Sequence, residues 1–242
     1  MTPFNPRGLK LVHSYRTIFP LNEYPISENG MWLSGRRDGM DWSDVITKNG
    51  MCYGEVSGFR YGGVMEQRVE QANPIFGKVT AAEAAKGDYD DPTAILRGVW
   101  GRNQHVTAKV FSKNPTDKYF QEVEIRLRST MTPHRIPGYE IFFRPLKTEK
   151  GYAEIVRWPG GLGEFVSLKR FDGEKYGVKD GDVIEATIEG DIIKGFINGV
   201  EMISVTDDAY KTGSPGVGFN YGVGYTNADS GFTSFEVETY DD

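Results

Sequence analysis

Only one cysteine occurs in 242 residues, histidines number three, and no stretch approaches about 20 uninterrupted apolar residues. Each shortage removes a class of protein. Cys52, alone, can form neither an internal disulfide nor a cysteine-rich zinc site, and it reads as a small buried hydrophobe. Without a long apolar run no helix is available to cross a bilayer, and no membrane insertion is expected. A basic surplus is missing as well. The chain sets 28 Lys and Arg against 34 Asp and Glu, a net charge of −6 with a pI near 5.3, so nucleic acid is not an expected partner. Metalloprotease, phosphate-loop and dinucleotide motifs are absent too; the glycines of PGGLG and GVGFNYGVG sit in hairpin or strand contexts and open no helix.

What the chain does contain is turns and aromatic bulk. Its 30 glycines and 12 prolines suit many turns better than long helices, and 38% hydrophobic with 13% aromatic residues suffice for a sizeable core. With no internal repeat and no low-complexity linker, one domain over residues 1–242 is expected. Strand-like runs follow in close order at 11–18, 30–35, 51–59, 94–100, 104–112, 119–129, 137–146, 151–158, 164–171, 182–189, 191–198, 200–205, 216–223 and 231–240. The strongest local signal lies in DIIKGFINGVEMISV. There Asn198 and Gly199 join two alternating runs, and both accept the positive φ of a two-residue type I′ turn. Asp207 to Tyr210 then break the pattern, and Gly213, Pro215 and Gly216 redirect the chain into a strand thinned by glycine. The segment 71–92 differs in texture: VTAAEAAKGDYDDP reads as a short helix and an acidic surface loop.

Alternation inside the runs assigns faces. In YFQEVEIRLRS, Val123, Ile125 and Leu127 share the core face, with Glu122, Glu124, Arg126 and Arg128 on the other. GYEIFFRPL sets Tyr139, Ile141 and Phe143 against Glu140, Phe142 and Arg144. QHVTAKVF sets Gln104, Val106, Ala108 and Val110 against His105, Thr107, Lys109 and Phe111. As neighbours in one sheet these strands would form a ladder of acids, arginines and a histidine. Such a face is either a solvated surface or a binding groove.

The order of SYRTIFPLNEYPISENGMW, VWGRNQHVTAKVF, FQEVEIRLRS, GYEIFF, GDVIEATIEGDIIKGFINGVEMISVTDDAYKTGSPGVGF and SGFTSFEVETYD resembles the concanavalin A-like (laminin G-like) jelly roll. That resemblance implies an all-β fold, a two-sheet antiparallel jelly-roll sandwich with the first and last strands side by side. It implies no single function, because the sandwich hosts lectins, carbohydrate-binding modules, hydrolases, lyases and structural modules. Three readings stay open. The first is a non-catalytic glycan-binding or adhesion module with a concave polar sheet face, whose partner is a poly- or oligosaccharide. The second is a polysaccharide lyase acting on an acidic glycan by β-elimination. The third is a surface module assembling with other protein chains, such as a phage virion decoration or fibre. With no signal peptide in MTPFNPRGLKLVHSY, an extracellular or virion-associated setting is the expectation.

Candidate residues follow from those readings. A retaining glycosidase needs two carboxyls about 5 to 5.5 Å apart, and Glu122 and Glu124 have same-face spacing, but the E-x-D-x-x-E strand of hydrolases with this sandwich is absent. EIRLR resembles the arginine strand of alginate-lyase-like jelly rolls and FNYGVGYTN resembles their tyrosine strand, whereas Gln104-His105 precedes the arginine strand it should follow. In the lyase reading Arg126 or Arg128 neutralises the uronate carboxylate, His105 is the base and Tyr221 or Tyr225 the acid. Arg97, Arg128, Tyr139, Arg144, Trp158 and Tyr225 are the candidate ligand-binding residues, Trp158 because RWPGG ends a strand where a loop would expose an indole for stacking. Asp88, Asp90 and Asp91 form an acidic loop, either solvated or holding a structural calcium.

Overall fold

The computed structural model describes residues 10–55, 91–118, 121–221 and 227–241. These contain β1 (Lys10–Thr17), β2 (Trp32–Ser34), β3 (Val45–Lys48), β4 (Met51–Gly54), β5 (Thr93–Leu96), β6 (Asn103–Ser112), β7 (Gln121–Ser129) and β8 (Gly138–Phe143). The chain continues with β9 (Tyr152–Trp158), β10 (Val166–Asp172), β11 (Val183–Glu189), β12 (Ile192–Ile197), β13 (Val200–Thr206), β14 (Ser214–Tyr221) and β15 (Ser230–Asp241). They form two antiparallel sheets. The eight-stranded sheet runs β13-β12-β11-β6-β15-β4-β3, with β1 also on β15; the seven-stranded sheet runs β10-β9-β8-β7-β14-β5-β2.

The period-2 alternation of apolar residues is what makes this a sandwich. Val106, Ala108 and Val110 of β6 and Ile184, Ala186 and Ile188 of β11 face Val123, Ile125 and Leu127 of β7 and Ile141 and Phe143 of β8 in one core cluster. The expected faces of all three strands hold. So does the expected meeting of the chain ends: Tyr15 lies opposite Val237 and Thr17 opposite Phe235. β3 was not expected, because four residues are too few for alternation to declare itself; it is joined to β4 by Asn49 and Gly50, a second Asn-Gly turn with φ of 53° and 75°. The expected helix of segment 71–92 lies, up to residue 90, outside the described residues.

One expectation needs correction. The polar faces of β6 and β7 are not neighbours, since β6 belongs to the eight-stranded sheet and β7 to the other. Nor is the charged face of β7 solvated. All nine residues of β7 and all six of β8 are buried, so the middle of the seven-stranded sheet is covered on both sides, while its edge strand β10 is largely exposed.

At the hairpin, Asn198 has φ 51° and Gly199 φ 78°, the conformation that a type I′ turn requires. The Asn198 side chain also fixes the hairpin to its neighbour: Val183 N donates to Asn198 Oδ1 at 2.9 Å, and Asn198 Nδ2 donates to Asp182 Oδ1 at 3.0 Å. A Cβ at Gly199 would meet no atom within 4 Å, which makes this position a test of backbone strain alone. Gly199→Val is expected to destabilise the fold by about 1 kcal/mol or more, read as a lower midpoint in a denaturant titration with unchanged slope.

Candidate functional site

Strand pairing sets two rungs across the outer face of the seven-stranded sheet. In one, Ile95, Gly216, Arg126, Glu140 and Val156 lie side by side; in the next, Thr93, Gly218, Glu124, Phe142, Glu154 and Arg170. Gly218 explains why β14 is thinned here. A Cβ at that position would fall 2.2 Å from Glu124 Oε2, so any side chain would displace the carboxylate. Over the rungs, the loop residues Trp42, Met131, Ile136 and Leu162 pack with Phe142, Val156 and Trp158 in a second apolar cluster.

Beneath that cluster the charges are knitted together. Glu140 Oε2 accepts from Arg126 Nη2 and from Trp158 Nε1, each at 3.0 Å, and the Arg126 guanidinium lies 5.0 Å over the Trp158 ring. Arg126 Nη2 also donates to Thr93 Oγ1 at 3.2 Å. Tyr152 OH donates to Glu122 Oε1 at 2.7 Å; Arg170 Nη1 donates to Glu154 Oε2 at 2.8 Å and sits 3.9 Å over the Tyr152 ring. Glu124 Oε2, Arg126 Nε and Arg126 Nη1 are among the buried side-chain atoms that have no hydrogen-bond partner.

Burial dominates the acid–base behaviour. It pushes Glu122 up to about 7, against the hydrogen bond from Tyr152 and with help from the charges of Glu140 and Glu154. Glu124 is held well above the usual carboxylate range by burial first, then by the negative charges of Glu140 and Asp91. Burial also raises Glu140, but Arg126 opposes that rise, and Glu124 and Glu140 share a hydrogen bond. Burial and like charge thus favour the neutral form of Glu124, while the Arg126 guanidinium favours the charge on Glu140.

Carboxylate oxygens of Asp91, Glu124 and Glu140 lie within 4.8 Å of one another, the spacing that could hold a cation. Of this trio only Asp91 is among the residues expected to hold calcium, and a calcium ion does not fit the trio. Arg126 Nη2 stands 3.0 Å from Glu140 and 3.8 Å from Asp91, so a guanidinium already supplies the positive charge that an ion would bring. Asp88 and Asp90 lie outside the described residues.

The lyase grouping is not assembled. His105 sits on the eight-stranded sheet with its ring nitrogen 2.9 Å from Glu185 Oε2, Arg126 is on the outer face of the other sheet, and Tyr221 points into the core between them, donating to Ser230 O. Three ligand candidates also change role. Tyr139 is inward and fully buried, its hydroxyl 2.6 Å from Asp207 Oδ1, where the rim was expected. Arg144 donates to the carbonyls of Lys150 and Thr116 beside the Tyr152 ring. Arg128 adopts φ 46° where the β7–β14 register shifts, which takes its side chain out of the alternation. Its fork then donates to Arg102 O at 2.8 Å, Tyr210 O at 2.8 Å and Gly190 O at 2.7 Å, so it joins the seven-stranded sheet to loops of the other. Trp158, whose indole was expected to be exposed for stacking, is instead buried beneath the loops at 3% exposure, and Tyr225 is outside the described residues. Glu140, Glu154 and Arg170 were not singled out; acids at matching parity on three successive strands, Glu124, Glu140 and Glu154, are the signal that locates them.

Arg97 occupies a different setting. It lines a cavity of about 610 Å³ at the ends of β5 and β14, together with Leu33, Ile95, Trp100, Met131 and Ser214 among others. Leu33, Ile95 and Met131 belong both to this wall and to the apolar cluster over the rungs, so the cavity adjoins the charged array.

No protein-family model matches the chain, and no curated protein matches it. Solved structures do. The carbohydrate-binding module CBM66 from Bacillus subtilis is similar with a TM-score of 0.51 at 10% identity, over 90% of this chain and 98% of that one. The GlcNAcα1-4Gal-releasing endo-β-galactosidase from Clostridium perfringens is similar with a TM-score of 0.52 at 9% identity; 98% of this chain matches 64% of that one. The fold is the concanavalin A-like jelly roll, and at these identities the likeness is one of fold.

Two outcomes follow from the buried charges. Arg128→Ala leaves three loop carbonyls without their charged donor and is expected to destabilise the fold by about 3 kcal/mol, checked by denaturant titration. Glu122 carries a raised pKa, so its contribution is present below the unfolded value of 4.5 and lost as pH rises through about 7. The denaturation midpoint is expected to fall between about pH 5 and pH 8, and to fall less in Glu122→Gln, which stays neutral throughout.

Proposed function

We propose that this chain is a non-catalytic glycan-binding domain, with its saccharide entering by the cavity at the ends of β5 and β14 and reaching the outer face of the seven-stranded sheet. One observation carries the proposal: Glu124 Oε2 and Arg126 Nε and Nη1 are buried without partners beside the Trp158 ring. Sugar hydroxyls both donate and accept, so one hydroxyl pair can satisfy the carboxyl and the guanidinium together, while the apolar face of a pyranose packs on aromatic carbon. The array is rich in carboxyls, which suits a neutral sugar at this end of the ligand. Two proteins of the same fold, a carbohydrate-binding module and an endo-β-galactosidase, are named for saccharides, which supports a glycan as the ligand.

A second reading, glycoside hydrolysis, rests on the Glu124 and Glu140 pair. Their nearest oxygens lie within 4.8 Å, both carboxyls are shifted up with Arg126 opposing the rise of Glu140, and a retaining glycosidase holds its acid and nucleophile about 5–5.5 Å apart. Affinity electrophoresis against a panel of neutral and acidic polysaccharides, with a reducing-end assay on the same samples, separates the two. Binding predicts retardation of the wild type by at least one polysaccharide, no new reducing ends, and weakening of about tenfold in Glu140→Gln. New reducing ends that vanish in Glu140→Gln would replace binding with hydrolysis. If no polysaccharide retards the wild type, the glycan reading is overturned.

A further inference from the structure

We infer that the cavity at the ends of β5 and β14 is a subsite for a carboxylated sugar residue, with Arg97 as its anion-binding group; this rests on the glycan reading above. Among the described residues on the cavity wall, Arg97 is the one that carries charge. Its side chain is 50% exposed, and its contact with a protein anion is Asp38 Oδ1 at 3.7 Å, beyond hydrogen-bond length. Asp38 is already engaged. Its Oδ2 accepts from Ser34 N at 2.8 Å, from Arg37 Nε at 2.9 Å and from Arg37 Nη2 at 2.8 Å. The Arg97 fork therefore keeps donors for a planar carboxylate, which a guanidinium grips through two parallel hydrogen bonds.

The backbone beneath that fork is fixed. Arg97 N donates to Met31 O at 2.8 Å, and Trp100 Nε1 donates to Arg97 O at 3.1 Å, closing the turn that Gly98 makes at φ 106°. The Trp100 indole is stacked on His13 at 4.3 Å, which holds the turn from behind. Thr130, Thr212 and Ser214 line the same cavity, as does Val99, which is 84% exposed. One cation, several hydroxyls and an aliphatic rim match a uronic acid, which presents one carboxylate, several hydroxyls and a ring face of C–H groups. Arg97 lies at the cavity end and the carboxyls lie on the adjoining rungs, so the site orients a mixed glycan with its acidic residue at the cavity end.

The test uses fragments of polygalacturonate, alginate and hyaluronan, each paired with its carboxyl-reduced form, in calorimetric titrations at about 50 mM salt, where surface charge is least screened. The expected result is at least one acidic fragment bound about tenfold or more tighter than its reduced partner. Arg97→Gln should abolish that preference while leaving affinity for the reduced fragment unchanged, and Arg97→Lys should keep part of it, since a lysine retains charge without the fork. Arg97 is half exposed, and melting of both variants at the wild-type temperature is the accompanying control. Equal binding of acidic and reduced forms by the wild type overturns this inference and leaves the glycan reading standing, as does a preference that survives Arg97→Gln. Binding of no fragment, acidic or reduced, overturns both.

Discussion

The central strands β7 and β8 of the seven-stranded sheet are buried on both faces, and most of what is unusual in this molecule follows from that constraint. A sandwich needs one covered face per sheet; the other normally meets water and takes charged residues without cost. Here β7 and β8 carry Glu122, Glu124, Arg126 and Glu140 on the second face, and the loops bearing Trp42, Met131, Ile136 and Leu162 close over it. Charges removed from water must be neutralised, paired or protonated.

All three solutions are present within two rungs. Arg126 pairs with Glu140, burial shifts Glu124 toward its neutral form, and Glu154 reaches the partly exposed Arg170 at the sheet edge. Gly218 supplies the space that the Glu124 carboxyl occupies. Replacing such an array with hydrocarbon of similar volume is often neutral or stabilising, so its retention points away from stability as its purpose. The atoms left unpartnered on Glu124 and Arg126 point the same way, toward a group that arrives from outside the fold.

Much of the fold is legible in the sequence because its cues are local. Alternation in FQEVEIRLRS and GYEIFF assigns the core face correctly, and Asn198-Gly199 declares its turn through positive φ. Sheet membership is not local. His105 and Arg126 stand on strands of similar texture, and only the order of pairing places them on different sheets. Arg128 shows a second limit. By parity it belongs beside Arg126, but a register shift and a left-handed backbone turn it toward three carbonyls, and nothing in RLRS announces a bulge. The burial of the polar face was equally hidden, because it depends on loops whose apolar residues, Trp42, Met131, Ile136 and Leu162, follow no strand period.

The Arg128 clamp also has a consequence in time. Its three carbonyls belong to residues 102, 190 and 210, in the loop before β6, the β11–β12 turn and the loop after β13. Closing all three contacts requires long stretches of chain to have found their sheets already, and ordering distant segments is the entropically slow part of assembling a β-sandwich. The clamp therefore closes after the main barrier. Interactions absent from the transition state act on the rate of leaving the native state, so Arg128 lengthens the lifetime of the folded sandwich with little influence on how fast it forms.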